Sequence, residues 1–423
     1  TAVGRYALYN NTTGYFNTAV GVSSLASTST GLSNTAVGRY ALYSNTTSSN
    51  NTAVGQAALT DNTGGDNTAV GYNALASNTT ASNNVAVGKD ALALNTTGTA
   101  NVAVGANALD ANTTASNNTA VGYNSLTANT TGQSNSALSH NCLAANTTGG
   151  QNVAIGQGAM FVNTTGSQNI AIGSGVLDAN TTASYNTGIG SGALGKNTTG
   201  DSNTAVGRQA LTNSTTASNN VAVGATALGA NTTGHSNVAV GAYALDGSTT
   251  ASQNTAVGYE ALSAGSAQAN TAVGYQALKV CTREFNTALG ALALTNSTSG
   301  LYNTATGNQA IRFNTTGTNN TGSGWQCLYS NTTGSSNTGI GVAALSGNST
   351  GSFNTGLGRQ AGNNITTGDN NTVIGYAAQA SSATVDNEIT LGDSNIATLR
   401  CNTQTISSLS DARDKTNVID LPE

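Results

Sequence analysis

The sequence predicts an all-β fold, a parallel β-solenoid, and three observations carry that prediction. The block Asn-Thr-Ala-Val-Gly, followed by two variable residues and Ala-Leu, recurs with a 17-residue period from Asn17 to Asn371. Gly, Asn and Thr, all poor helix formers, return every few residues, which argues against helix. The only proline of the 423 residues, Pro422, lies beyond the last copy, as expected where nearly every backbone N–H serves a ladder. A fixed short period means one small unit stacked on itself, so the usual division of such a length into several globular domains does not apply.

Counting the copy already under way at Thr1, there are roughly 23 copies, and the spacings from Asn51, Asn254 and Asn270 shrink to 16. Positions are numbered from each copy's Asn. Position 2 is Thr or a β-branched apolar residue (Val85, Val102, Ile170, Val221), position 3 Ala or Gly, position 4 Val, Ile or Leu, and position 5 Gly. Position 8 is usually Ala, position 9 nearly always Leu, and positions 12 to 14 read Asn-Thr-Thr. This pattern predicts two short strands, at positions 2–4 and about 8–11, separated by turns.

Positions 4 and 9 are the consistently large apolar sites, which places both inside each coil: Val20, Val37 and Val54 against Leu25, Leu42 and Leu59. Ala at position 3 and Gly at position 5 then form a flat face suited to a second chain. Gly at position 5 is expected to take a positive φ in its turn. The Asn columns at positions 1 and 12 are expected to bond amide to amide or to cap turn backbone between coils. At about 4.8 Å per coil the stack makes a rod on the order of 110 Å long. Roughly two large apolar side chains per copy, at about 1.5–3 kcal/mol each, barely offset the ordering entropy. A homotrimer is the expected remedy.

Composition excludes several functions. Only 7% of residues are charged, and the apolar register is strict, so the chain reads as ordered rather than disordered. A net charge of −5 argues against a nucleic-acid partner, which needs clustered Lys and Arg. No run of 18 apolar residues suggests a transmembrane helix. The chain begins in mid-repeat and reads as a fragment.

Candidate sites are sparse. Cys142 and Cys327 share position 8, Cys281 falls at position 12 and Cys401 beyond the repeats, without the spacing of a zinc site, so buried free thiols are expected. His140 and His235 fall in turns of distant copies. Asn-Thr-Thr at Asn11, Asn78, Asn95 and Asn129 matches an N-glycosylation acceptor, yet its recurrence in register favours a structural turn ladder. Gly188, Gly190 and Gly192 lack a phosphate-loop lysine, so no nucleotide is expected. Asp110, Asp178 and Asp246 fall at position 10 of separate copies and form no carboxylate pair or calcium site. No metal and no cofactor are expected. Tyr6, Tyr40, Tyr72, Tyr123, Tyr243, Tyr259, Tyr275, Tyr376 and Trp325 fall at positions 6 or 7. They form an exposed ridge in which Tyr72, Tyr123, Tyr259, Tyr275 and Trp325 are candidates for stacking on sugar rings. The alternative is that they merely cover neighbouring coils.

The Asn-Thr-Ala-Val-Gly unit resembles the Asn-Ser-Val-Ala-Ile-Gly repeats of trimeric autotransporter adhesin heads. That resemblance implies a left-handed parallel β-roll, although those repeats are shorter. The C-terminus adds a second resemblance. From about Ser381 the repeat decays through Asn387-Glu388-Ile389-Thr390-Leu391-Gly392, and seven of the 17 acidic residues fall from Asp386 onward. Ser408-Leu409-Ser410-Asp411-Ala412-Arg413-Asp414-Lys415-Thr416-Asn417-Val418 then looks like the opening of the self-cleaving intramolecular chaperone domain of phage tail fibres and endosialidase-type spikes. In that family Ser410 would be the nucleophile, Lys415 its base and Ser410–Asp411 the bond cut. A Ser–Lys pair is chemically apt, since a desolvated neutral lysine takes the hydroxyl proton.

The organisation expected is a repeat shaft over 1–380, a degenerate last repeat and transition over 381–409, and the truncated start of a chaperone domain over 410–423. The function this implies is a trimeric phage tail fibre shaft, in a virion or otherwise extracellular. Its partners would be itself, a host-surface glycan or protein receptor, and a tail or baseplate protein at its N-terminal end. Rival readings are a cell-surface adhesin head and an ice-binding solenoid, the latter suggested by Thr at positions 2 and 13. An enzyme acting on other molecules is not expected; at most the chain cuts itself once.

Overall fold

The computed structural model describes residues 1–398 and 400. Twenty-four short parallel strands run from Ala2–Val3 and Thr18–Val20 to Ile389–Leu391, with no helix among the described residues. Each strand pairs with those of the preceding and following copies. Register is locked to the repeat: Thr18 pairs with Thr35, Ala19 with Ala36 and Val20 with Val37. The chain is a β-solenoid of one coil per copy.

The second strand expected at positions 8–11 is absent: that segment is turn in the copies from Asn17 to Asn354 and irregular in the Asn371 copy. The physical reason is backbone handedness. Position 9 adopts a left-handed conformation in successive copies (Leu42 φ 50°, Leu92 φ 51°, Leu109 φ 53°), and position 7 does so as well. Such angles break an extended strand and are uncommon for a bulky side chain. They are held by inter-coil bonds: Leu42 N donates to Ala58 O and Leu92 N to Ala108 O, both at 3.0 Å. The turn thus keeps a ladder without being a strand.

The core differs from expectation in one column. Leu25, Leu42 and Leu59 are buried as predicted, but their partners inside the coil are Ala19, Ala36 and Ala53 at position 3 and the Ala of position 8. Val20, Val37 and Val54 point outward, 36–37% exposed. Strand alternation already sent positions 2 and 4 to one side and position 3 to the other; beside a position 9 leucine the coil leaves room only for Ala or Gly under the strand, and a valine enters there, as Val373, where Gly362 replaces that leucine. At three places a β-branched or sulfur side chain at position 8 or 9 faces Gly at the inward position 3 of the next copy, whereas Cys142 and Met160 are followed there by Ala154 and Ala171. A Cβ on Gly188 would stand 2.5 Å from Val176 Cγ1, on Gly322 2.7 Å from Ile311 Cγ1, and on Gly339 2.5 Å from Cys327 Sγ.

Gly at position 5 has the predicted positive φ, for example 134° at Gly21. A Cβ there would lie 2.5 Å from Gly38 O, so the backbone that approaches is the next coil of the same chain. Ala at position 3 and Gly at position 5 therefore serve the coil's own stacking, and the face free for another chain is the one carrying positions 2 and 4.

The shortened copies keep strand register: Thr255 pairs with Thr271, and Thr271 with Thr287. Their missing residue lies between positions 12 and 15. Asn78 Nδ2 donates to Ala81 O, three residues on, at 2.9 Å, whereas Asn62 in a 16-residue copy donates to Gly64 O, two residues on, at 2.7 Å.

Candidate functional site

Two buried asparagine ladders occur, in both expected modes: position 1 is Asn from Asn17 to Asn371, while the position 12 column is broken at Thr28, Ser214, Ser248, Gly265, Cys281, Ser297 and Ile365. At position 1, each Oδ1 accepts the next copy's backbone N–H, as from Asn101 N to Asn84 and from Asn118 N to Asn101. Its Nδ2 donates to the carbonyl at position 15 of its own copy, as Asn84 does to Gly98 O at 2.9 Å. At position 12, amide bonds amide: Asn95 Nδ2 donates to Asn78 Oδ1 at 2.9 Å and Asn112 Nδ2 to Asn95 Oδ1 at 2.8 Å. Asn78, Asn95 and Asn129 are fully buried, which closes them to glycan transfer in the folded chain.

Outside these ladders lie three surfaces. The first is the strand face. Val37, Val54, Val70, Val87, Val121, Leu138, Ile155, Ile172, Ile189 and Val223 stand exposed at position 4, beside Thr or Val at position 2. A contiguous apolar stripe of this length is unusual on a soluble monomer and marks an interaction surface. By contrast, the threonines of position 13 spend their hydroxyls on the stack: Thr96 Oγ1 donates to Thr113 O and Thr164 Oγ1 to Thr181 O, both at 3.0 Å.

The second surface is the aromatic column. Tyr72, Tyr123, Tyr259, Tyr275, Trp325 and Tyr376 are exposed, while Tyr40 is half-buried. The solenoid brings only some of them together. Tyr259 and Tyr275 stack with centroids 5.8 Å apart, and Tyr243 meets Tyr259 edge-on at 6.0 Å. Tyr123 stacks on His140 at 5.5 Å. Tyr6 and Tyr40 instead pack on Tyr9 and Tyr43 and lie under Arg5 and Arg39 of their own turns. Beside the Tyr259 stack, Glu260 accepts from Lys279 Nζ at 2.5 Å and from Gln276 Nε2 at 2.8 Å. Those two bonds hold the Glu260 carboxyl below its ordinary pKa. A position-17 set, including Phe285 stacked on Tyr302 at 5.3 Å, escaped the sequence reading because it recurs in only a few copies.

The third surface is a groove between the position 6–7 and position 10–11 columns of the copies starting at Asn152, Asn169 and Asn186. Its volume is about 690 Å³, with Phe161, Ser174, Asp178, Ser191 and Lys196 among its lining residues. Desolvation pushes the Asp178 carboxyl up from its ordinary range.

Cys142, Cys281 and Cys327 are free and buried, as expected. Burial raises all three thiols, Cys327 to about 12. His140 and His235 are exposed in turns. Asp110 accepts a bond from Thr127 Oγ1 at 2.6 Å. No group of three His, Cys, Asp or Glu suited to a metal occurs among the described residues, nor does a helix long and apolar enough to cross a membrane.

At the C-terminal end it is Glu388, rather than Asn387, that takes position 1: its N–H donates to Asn371 Oδ1 at 2.9 Å, and Ile389–Leu391 pairs with Thr372–Ile374. Its carboxylate turns aside to accept from Ser381 N at 2.8 Å and from Thr390 Oγ1 at 2.8 Å, which ends the amide ladder. Cys401, Ser410 and Lys415 lie outside the described residues. The chain matches no family model, and no curated protein shows significant sequence similarity to it.

Proposed function

We propose that this chain is the shaft of a trimeric fibre, of the phage tail-fibre kind, whose role is reach and stiffness. The observation that carries the reading is the outward stripe of Val, Ile and Leu at position 4. Each of these side chains keeps about a third of its surface for a partner, on the order of 1 kcal/mol apiece. Because the stripe repeats in all but the two coils that carry Thr306 and Ser323, the partner best matched to its length is a second and third copy in the same register. The Ser410–Lys415 segment, by its resemblance to a self-cleaving chaperone, supports a tail fibre over a membrane-anchored adhesin head.

Sedimentation of the purified chain tests the assembly. The expected mass is three times that of the 41.7-kDa chain, and a stable monomer at micromolar concentration overturns the reading. An ice-binding role keeps one supporting observation, since the position 2 threonines share the flat strand face. The position 13 threonines are already committed to the stack. A monomer with thermal hysteresis would move the conclusion to that rival.

A further inference from the structure

We infer that the groove spanning the copies from Asn152 to Asn203 is a binding site for a short neutral oligosaccharide laid along the solenoid axis. Its lining supplies the two chemistries such a ligand needs. Phe161 offers an exposed aromatic face for the apolar side of a sugar ring. Ser174, Ser191 and the Asp178 carboxylate offer acceptors and donors for hydroxyls, with Lys196 at the far end. One carboxylate and one ammonium leave no net charge, which disfavours a polyanion.

A second depression, of about 400 Å³, continues the groove past Gln157 to His140, whose ring stacks on Tyr123. The two share Phe161, Ser174, Gly175 and Asp178, so they form one track. From His140 to Thr212 the track crosses four inter-coil steps of about 4.8 Å, about 19 Å in all, enough for an oligosaccharide rather than a single sugar. None of its lining residues belongs to the strand face, so covering that face leaves the track unused by the stripe.

The floor shows that the space is not a packing requirement. Position 7 is Gly158, Gly175 and Gly192 in three successive copies. A Cβ on Gly158 would meet nothing within 4 Å, and on Gly192 only Gln209 Cγ at 3.7 Å. Other copies hold Asn107, Asn124, Asn141 or Gln209 in the same left-handed conformation, so the backbone accepts side chains there. Desolvation of Asp178 agrees with a carboxylate set into the track.

The inference rests on reading the chain as a surface-contacting fibre, but its test is separate from that of assembly. The full chain is titrated with cellotriose, chitotriose and a sialylated trisaccharide, followed by ligand-observed NMR. The triple variant Gly158→Asn, Gly175→Asn, Gly192→Gln is measured in parallel, with Phe161→Ala as a second variant that leaves the backbone untouched. The expected result is binding of a neutral trisaccharide, weakened about tenfold or more in both variants, with unchanged circular dichroism and sedimentation. No binding of either neutral sugar, binding of the sialylated one alone, or variants that bind as tightly as the unaltered chain overturns it. A monomeric chain that still binds would sink the trimer and leave the groove standing.

Discussion

Single residues in this solenoid are judged by how they fit a column. Position 5 is Gly in nearly every copy because its φ is positive and the next coil's carbonyl sits where a Cβ would go. Ser139 is the exception, held at φ 133°. Ser139→Gly is therefore expected to stabilise the chain by about 1 kcal/mol or more, read as a higher urea midpoint. The cysteines give a pH prediction. Cys142, Cys281 and Cys327 have folded-state pKa values raised by burial, to about 12 for Cys327. In the unfolded chain each thiol ionises near 8.5. Above that pH the unfolded state binds fewer protons, so the stability from burying neutral thiols is present at neutral pH and is lost as pH rises toward 12. Urea midpoints should fall across that alkaline window and fall less in a Cys327→Ala chain; an equal fall in both would refute the assignment. The sequence marked these cysteines as buried, and it named the position 6 aromatics. It could not say which aromatics touch, because that depends on what the next coil carries at the same position.

At the scale of one coil, strand and turn have different tolerances. The three short copies all lose a residue between positions 12 and 15 yet keep their pairing, so the outer turn absorbs length changes. Deleting Thr131, at position 14, should leave cooperative unfolding and strand content unchanged. Deleting Ala120, in the strand, would move an outward side chain into the core and should cost several kcal/mol by thermal denaturation. Compensation between coils is also visible. Gly362 replaces the usual Leu at position 9, and the space is taken by Ile365 and Val373, whose side chains lie within 3.3 and 3.5 Å of where its Cβ would be. The repeat pattern made the unit and its Asn ladders legible. It misjudged the second strand, because the left-handed angles at positions 7 and 9 leave no compositional trace when Leu itself adopts them.

For the whole molecule, each coil contacts its immediate neighbours through near-identical pairings, so stability should accumulate coil by coil with the ends weakest. Glu388 marks one such end by turning its carboxylate out of the amide column. The outward apolar face is the feature on which the proposed trimer rests. Val121→Asp combined with Val223→Asp, both exposed in the single chain, should abolish the trimer in sedimentation while β circular dichroism persists. Retention of the trimer would show that another face mediates assembly.

The sequence by itself determined the period, the register, the glycine turns, the two Asn ladders and the leucine column, because each is a local preference repeated until it becomes a fold. Only the tertiary structure decided that Val at position 4 faces outward and Ala at position 3 faces in. Hydrophobicity ranks valine above alanine, but the room inside a coil depends on its cross-section. That cross-section is fixed by the left-handed corners and the two Asn columns, and beside a position 9 leucine it admits no more than a methyl group beneath the strand; Val373 enters only where Gly362 stands in for that leucine.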